Sequence, residues 1–388
     1  MSEAAGALRA PQPLNLPVLY IGVVALLIAG LQPVVLGGLA EAGRLSASGI
    51  GLAATAELLA LGVACGVCAA VLKPTGLRAK LALACMGHAL CNVASLWVAD
   101  SALIGLRGVT GLFAGAMLWS TVGMIARSAR PERQAGIFVT VQTLAQLLLA
   151  AVLPRTVMTS WGVDGALLTL AAISVTAAAA AFAAPPAFAP LPRAETGGGR
   201  LSALAWAGLA AVFLYLAFIV AIWVYLEPLA ATVGLSSVQA HDAVAAALAM
   251  QVVGGLAATV AGARLKASHV LIGAGVINLG LVTALSAHPS GPLFLGLVAA
   301  FGFLWLFVLP FHTVLLIAID PSRRAAMQLG AAQLLGSSAG PLAASLVVGD
   351  SDIGGAMKFA AACLIAALAL IVAVLAVMAR RGPVAETP

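Results

Sequence analysis

Long apolar stretches alternate with short polar connections along the whole chain. Each stretch holds about twenty consecutive apolar residues, the length that crosses the hydrocarbon core of a bilayer as an α-helix. Membrane-spanning β-strands would instead show segments of about ten residues with alternating character. The pattern therefore predicts an all-α membrane protein with twelve transmembrane spans, at about residues 17–40, 47–72, 80–99, 102–126, 135–155, 163–184, 203–230, 239–262, 268–286, 292–317, 327–348 and 355–379.

The composition agrees with this architecture and excludes a water-soluble globular protein. Hydrophobic residues make up 63% of the 388 residues, charged residues make up 8%, and the mean hydropathy is +1.12. An ordinary soluble domain is about one quarter charged. Twelve spans use almost the whole length, so we expect no large soluble domain beside them.

The 19 Lys and Arg residues indicate orientation rather than a nucleic-acid partner. Fifteen of them fall in connections on the side of the two termini, Arg44, Arg155 and Lys358 fall on the other side, and Arg107 lies inside a span. Because basic loops resist translocation, we predict that both termini are cytoplasmic, in a bacterial inner membrane. The net charge of +6 is spread in small groups, so no basic patch for nucleic acid is expected.

The five cysteines do not indicate a disulfide framework, because all of them lie inside apolar stretches. Cys65 and Cys68 have the spacing of a redox or metal pair, but no second pair accompanies them. We therefore expect neither a metal ion nor a cofactor.

A stretch rich in proline and glycine at residues 185–201 divides the spans into two sets of six. Short matches relate the two sets at a separation of 190 residues: the Leu-Ser dipeptide at 45–46 recurs at 235–236, and Pro-x-Arg-x-Ala at 131–135 recurs at 321–325. Such internal repeats are typical of transporters. We predict an N-terminal six-helix bundle at residues 1–184, a cytoplasmic linker at 185–201 and a C-terminal six-helix bundle at 202–388.

The fourth span carries a local motif that resembles the major facilitator superfamily of secondary transporters. It reads Arg107-Gly-Val-Thr-Gly111-Leu-Phe-Ala-Gly115-Ala, an Arg followed four residues later by Gly and then by small residues. The resemblance extends over essentially the whole chain through the twelve spans, the cytoplasmic termini, the central linker and the repeat. It implies two six-helix bundles that work by alternating access, similar to those of drug/proton antiporters.

Two other motifs of that family are only partly present. Of the basic loop between spans two and three, Gly76 and Arg78 match, whereas Lys73 stands where the family has an acid. The Gly-Pro motif of the family's antiporters is absent from span five, and Gly340-Pro341 in span eleven resembles it instead. The resemblance is therefore strongest at the level of the superfamily.

Two charged residues deep inside predicted spans are the candidate proton-coupling pair. Glu57 lies roughly 15 Å into span two, and Arg107 lies about 8 Å into span four from the same side. Pairing is the simplest way to hold both charges in a low dielectric. At a separation of 190 residues their counterparts are Ala247 and Leu297, so the repeat does not require charges here. We predict a proton-linked or substrate-linked role, with a fixed, purely structural ion pair as the alternative.

Aromatic and polar side chains provide the candidate substrate-binding residues. Trp305, Val308 and His312 share one face of span ten, which also contains Pro310. The family resemblance places spans one, four, seven and ten around the central cavity. An aromatic wall with one imidazole suits an amphipathic solute, and packing in the core or against lipid is the alternative. The candidates are Gln32, Trp119, Tyr215, Trp223, Glu227, Trp305 and His312.

For several other polar residues the sequence favours structural roles or leaves both roles open. Glu227 precedes Pro228 near the end of span seven, either at the cavity mouth or at an exposed helix end. Asp242 is expected in the first turn of span eight, where an acid complements the helix dipole. His88 and Asn92 share a face of span three, where packing is the favoured interpretation.

Three classes of function remain at this point. We expect a secondary transporter that exports a small organic solute in exchange for protons. Uptake of a small organic anion by proton symport is the alternative, with Arg107 as the carboxylate clamp. A membrane enzyme or receptor is not expected, because the chain has no His-Glu-x-x-His, nucleophile-elbow or phosphate-loop motif. The expected partners are a small-molecule substrate, protons and the lipid bilayer, and the protein is expected to be a monomer.

Overall fold

The computed structural model describes residues 15–128, 131–188, 201–261, 264–321, 323–349 and 352–380. These residues are almost entirely α-helical and contain no strand beyond two isolated β-bridges. The helices form two compact units, one before and one after the predicted linker. The all-α prediction is therefore confirmed. Residues 189–200 of the linker lie outside the described residues, so its bounds stay a prediction.

The described part of the N-terminal unit contains six long helices. The side chain of Asn15 accepts a hydrogen bond from the Val18 amide, and that of Ser46 accepts one from Gly49, so the first two helices begin at capping residues. Gly162 interrupts the sixth helix with φ 56°, one residue before the predicted start of that span. The helices are α1 (Leu16–Glu41), α2 (Ala47–Val71), α3 (Leu77–Ala94), α4 (Asp100–Ala126), α5 (Pro131–Val152) and α6 (Val157–Ala181).

Within its described residues, the C-terminal unit contains six long and two short helices. The predicted seventh span, 203–230, is wrong at its end, because the helix stops at Val224 and a short second helix follows Tyr225. The helices are α7 (Ala203–Val224), α8 (Leu226–Thr232), α9 (Ser237–Ala261), α10 (Ala267–Ser286), α11 (Gly291–Ile319), α12 (Arg324–Met327), α13 (Leu329–Ser345) and α14 (Gly354–Arg380).

The long helices agree with twelve crossings of a membrane. Eleven helices in the described ranges are long and apolar enough to span one. The remaining long helix, α13, has 17 residues and rises roughly 26 Å at 1.5 Å per residue. That length is near the lower limit for a transmembrane helix. The described chain thus supplies twelve helices of the predicted kind.

One close helix contact occurs in both units. Gly111 of α4 lies against the backbone carbonyl of Glu57 in α2, and Gly302 of α11 lies against that of Ala247 in α9. A Cβ atom at either glycine would collide with the carbonyl oxygen, so the helix axes approach closely only because these residues lack a side chain. Glu57 and Ala247 are 190 residues apart, whereas the two glycines are 191 apart. The contact supports the predicted duplication. It also shows that residues of α4 correspond to residues of α11 at a separation of 191 instead of 190.

The beginning of the predicted linker is held against the N-terminal unit. The Phe188 amide donates to the Pro74 carbonyl at 2.8 Å, and the Leu77 amide donates to the Pro186 carbonyl at 3.1 Å. Residues 185–188 therefore extend alongside the connection between α2 and α3 instead of leaving the unit directly.

Candidate functional site

Glu57 and Arg107 meet between α2 and α4, as the sequence predicts. Arg107 Nη2 lies 3.5 Å from Glu57 Oε1, and both side chains are 0% exposed. Gly111, one helical turn after Arg107, brings α4 against the α2 backbone at Glu57. The Arg-x-x-x-Gly spacing therefore places the guanidinium next to a close backbone contact between the two helices.

The Glu57 carboxylate has little compensation for its lost water. Neither of its oxygens accepts a hydrogen bond from any residue in the described ranges. Two opposite charges attract strongly in a low dielectric, but a buried ion pair stabilises a fold only when hydrogen bonds satisfy its remaining polar atoms. A pair with this geometry is able to exchange partners more easily than one that is fully hydrogen-bonded.

Arg107 also contacts a polar network that reaches α3 and α6. Its Nη2 atom donates to Asn92 Oδ1 at 3.1 Å, and Asn92 Nδ2 donates to the His88 carbonyl at 3.0 Å. His88 Nδ1 lies 3.3 Å from Asn92 Nδ2 and 2.8 Å from Ser174 Oγ. All of these side chains are buried. The sequence interpretation of His88 and Asn92 as packing residues missed this connection to the charged pair.

In the C-terminal unit, four of the predicted substrate-binding residues lie in one aromatic cluster between α7 and α11. The Trp223 and Trp305 rings meet edge to face with centroids 5.5 Å apart, and the Tyr215 and His312 rings lie 4.9 Å apart. Phe218 and Phe301 connect these two contacts. We call Tyr215, Phe218, Trp223, Phe301, Trp305 and His312 the aromatic cluster.

Two groups give the aromatic cluster a polar end. Tyr215 Oη accepts a hydrogen bond from Asn278 Nδ2 of α10 at 3.3 Å. His312 is fully buried, and no side chain in the described ranges bonds to either of its ring nitrogens. Trp305 is half-buried, which leaves part of its ring accessible. Trp305 is the one partly exposed member of the cluster, and the other five are buried.

Glu227 is buried, so the exposed helix end that the sequence left open is wrong, whereas a place at the cavity mouth stays a prediction. It lies in α8, is 4% exposed, and its Oε1 atom lies 2.7 Å from His241 Nε2 near the start of α9. The pair links α8 to α9 across the intervening turn. Asp242 follows His241 in the second turn of α9 and is half-buried.

Gln32 and Trp119, the remaining candidates, belong to different parts of the N-terminal unit. Gln32 is fully buried beside Pro33 in α1, and its amide has no hydrogen-bond partner among the residues that the structure describes. Trp119 lines a cavity of about 170 Å³ with Cys65, Arg127 and Phe188, among others. Gln32 therefore remains available to an additional partner. The Trp119 ring already has a cationic neighbour, because Lys80 Nζ lies 5.9 Å from its centroid.

The described residues contain no group of three or more His, Cys, Asp or Glu side chains that could hold a metal ion. Cys65 and Cys68 are free thiols in α2.

Solved structures of membrane transporters match the fold over nearly the whole chain. A mutant of the nucleoside transporter NupG matches with a TM-score of 0.70 and 10% identity, over 93% of this chain and 98% of that one. The D-xylose-proton symporter matches with a TM-score of 0.67 and 16% identity, over 92% and 96%. The major facilitator superfamily transporter FucP, in its outward conformation, matches with a TM-score of 0.58 and 14% identity, over 92% and 97%.

The chain has the major facilitator superfamily fold. No protein-family model and no curated protein matches the sequence. At identities of 10% to 16% the structural likeness concerns the fold and does not transfer a substrate. The predicted fold class, two six-helix bundles of the major facilitator superfamily type, is therefore confirmed.

Within this major facilitator fold, sequence reasoning missed three polar partners of the candidate residues. Asn92 contacts Arg107, His241 contacts Glu227, and Asn278 contacts Tyr215. The spacing of four residues between His88 and Asn92 was a usable signal, because two buried polar groups on one helix face need partners on a neighbouring helix.

Proposed function

We propose that the protein is a secondary active transporter that moves a small organic solute across the inner membrane by alternating access, with proton binding at Glu57 as the coupling step. The observation that carries this proposal is the fully buried Glu57–Arg107 pair, whose carboxylate accepts no hydrogen bond in the described ranges. Ionisable groups inside a membrane protein are costly and usually functional. The fold supports transport, because the matching structures are transporters.

The proposed coupling follows from the charge balance of the pair. When Glu57 is ionised, its attraction to Arg107 holds α2 and α4 together. Protonation removes that attraction and leaves a guanidinium that must find other acceptors. Because the two protonation states then favour different pairings, the proton shifts the balance between two conformations of the transporter.

The aromatic cluster and Gln32 are the proposed substrate contacts. Aromatic faces with a few placed polar atoms bind amphipathic organic molecules, and the unpaired Gln32 amide and the buried imidazole of His312 supply such atoms. Tyr215, Trp223 and Trp305 would provide the apolar contacts. Glu227 and Trp119 are also proposed to contact substrate along its route, although each already has a partner in its own unit.

Proton-coupled export is the first candidate direction, as in the drug/proton-antiporter-like branch that the sequence resembles. Proton symport of a small organic anion is the second candidate. One specific observation favours symport as the direction: one of the structures with this fold is named a D-xylose-proton symporter. We further propose that the protein acts as a monomer with both termini in the cytoplasm, and that it is neither an enzyme nor a binder of nucleic acid or cofactors.

Proton flux in vesicles tests this function across several classes of solute. Purified protein is reconstituted in liposomes that contain a pH-sensitive dye, and nucleosides, sugars, aromatic carboxylates and aromatic amines are added in turn. We expect one class to move protons, and the sign of the pH change gives the direction. We also expect Glu57→Gln to abolish this flux but to retain exchange of labelled solute, because exchange does not require net proton movement.

Glu41→Gln is the matched control, since Glu41 lies at the exposed end of α1. It should retain both proton flux and exchange. Proton-coupled transport of wild-type size by the Glu57→Gln variant would refute the proposed role of this carboxylate.

A further inference from the structure

The donors and acceptors around Arg107 fix the orientation of Asn92. Arg has no acceptor atom, so the Asn92 atom that faces Arg107 at 3.1 Å is the amide oxygen. The amide nitrogen then faces His88 and donates to its backbone carbonyl at 3.0 Å. His88 and Ser174 hold Asn92 with its oxygen directed at the guanidinium.

The charged and titratable groups around Arg107 come from three helices. α2 supplies Glu57, α4 supplies Arg107 itself, and α3 supplies His88 and Cys91. The titratable side chains of the neighbouring α1 and α6 lie elsewhere: Tyr20 bonds Thr176, Asp164 bonds Arg44, and Glu41 lies at the exposed end of α1. The network therefore contains one carboxylate and one permanent cation in the described ranges.

We propose that Asn92 is a positioning residue for proton coupling, which holds Arg107 at α3 when protonation of Glu57 ends the ion pair. This inference rests on the proposed function of Glu57. Arg107 Nη2 already contacts both partners, at 3.5 Å from the carboxylate and 3.1 Å from the amide oxygen. When Glu57 becomes neutral, the hydrogen bond to Asn92 remains, so the guanidinium keeps an acceptor inside the bundle.

Asn92 consequently affects the two protonation states unequally. With Glu57 ionised, Arg107 keeps its ion-pair partner when Asn92 is removed. With Glu57 protonated, Asn92 is the main acceptor, so its removal costs the protonated state more. Proton uptake should then require a lower pH. A carboxylate in place of the amide should have the opposite effect, because it would neutralise Arg107 by itself and repel ionised Glu57.

An infrared titration tests this inference without a transported substrate. Full-length protein is reconstituted in vesicles of phosphatidylethanolamine and phosphatidylglycerol, and the carbonyl band of protonated carboxyl groups is recorded against pH. The band of Glu57 is the one that disappears in Glu57→Gln. We expect Asn92→Ala to move the midpoint of that band downward by about one pH unit, which corresponds to about 1.4 kcal/mol. We expect Asn92→Asp to move it upward.

Opposite shifts of the midpoint distinguish a positioning role from simple damage to the fold. Damage would shift the midpoint in the same direction in both Asn92 variants. Ser174→Ala, which removes a contact to His88 but none to Arg107, should shift the midpoint less than Asn92→Ala. Asn15→Ala is the matched control, because it removes a capping amide of α1 and should leave the midpoint unchanged.

Each result decides between the two proposals. A titrating Glu57 band that stays in place in both Asn92 variants would refute the inference and leave the proposed function intact. If no band that titrates is lost in Glu57→Gln, the proposed proton site itself is refuted.

Discussion

The two units share a helix contact but differ in the chemistry placed beside it. In both units a glycine lies against a backbone carbonyl, Gly111 over Glu57 and Gly302 over Ala247. In the N-terminal unit the residue that provides the carbonyl also carries a buried carboxylate that pairs with a guanidinium. In the C-terminal unit the same position is an alanine. The contact is therefore a property of the repeat, whereas the charges are an addition to one half.

This difference separates what the fold needs from what is added to it. With the register given by the glycines, the counterpart of Arg107 is Val298, one residue from the Leu297 expected from the sequence, and Val298 is fully buried. An alanine and a valine thus fill the positions that the ion pair fills in the other unit. Helix packing at this place works without charge in the C-terminal unit, which supports the proposed functional role of the pair.

The largest effect is expected when one member of the pair is removed. Arg107→Val leaves Glu57 without its ion-pair partner, and breaking a buried pair costs about 3–5 kcal/mol. The double variant Glu57→Ala/Arg107→Val copies the residues of the C-terminal unit and should regain most of that stability. Thermal unfolding of the purified proteins in detergent measures both changes, with Glu41→Gln as the neutral control.

The double variant sharpens the comparison, because it should restore the stability of the fold without restoring proton coupling. It should unfold near the wild-type temperature and show no proton-linked transport. A double variant as unstable as Arg107→Val would show that the charges contribute to packing in a way that an uncharged pair cannot replace.

A smaller effect is expected when a methyl group is added at the shared helix contact. Gly111→Ala and Gly302→Ala each place a Cβ atom against a backbone carbonyl that cannot move aside by rotating a side chain. Overpacking of this kind costs about 1–3 kcal/mol. Both variants should lower the unfolding temperature by similar amounts, and only Gly111→Ala should also change proton coupling. Gly105→Ala in α4 is the control, because its Cβ atom would meet nothing within 4 Å.

A Gly302→Ala variant that unfolds at the wild-type temperature would contradict the equivalence of the two contacts. Loss of proton coupling in both variants, in turn, would mean that coupling depends on the contact and not on the charges beside it.

The helices were predictable from the sequence because a bilayer imposes their length. Apolar runs of about twenty residues located the long helices within a few residues at most ends. The break at Tyr225 was missed, since the apolar run continues through it into α8. The ends of α13 were misplaced by two and three residues because apolar residues flank the helix on both sides. Hydrophobicity thus indicates which segments lie in the membrane, but it does not locate every helix end.

The candidate site was only partly predictable, for a related reason. A carboxylate or guanidinium inside an apolar span is conspicuous, so Glu57 and Arg107 could be paired by depth alone. Asn92 is neutral and lies 15 residues before Arg107, and nothing in the sequence gives the rotation of α3 that brings the two together. Aromatic residues on α7 and α11 could be identified, whereas their ring contacts depend on how the two helices pack.

The smallest effect is expected at the polar end of the aromatic cluster. Tyr215→Phe removes only the hydroxyl that accepts a hydrogen bond from buried Asn278. The side-chain amide of Asn278 then loses this acceptor. Such a loss costs about 1 kcal/mol. Tyr20→Phe is the matched control. Tyr20 is exposed and its partner Thr176 also bonds the Ile173 carbonyl, so a smaller loss is expected. Unfolding temperatures measure both, and equal losses would show that the buried hydrogen bond contributes no more than an exposed one. A neutral bond in the C-terminal unit should in either case matter less than the ion pair of the N-terminal unit, since removing it leaves no charge unpaired.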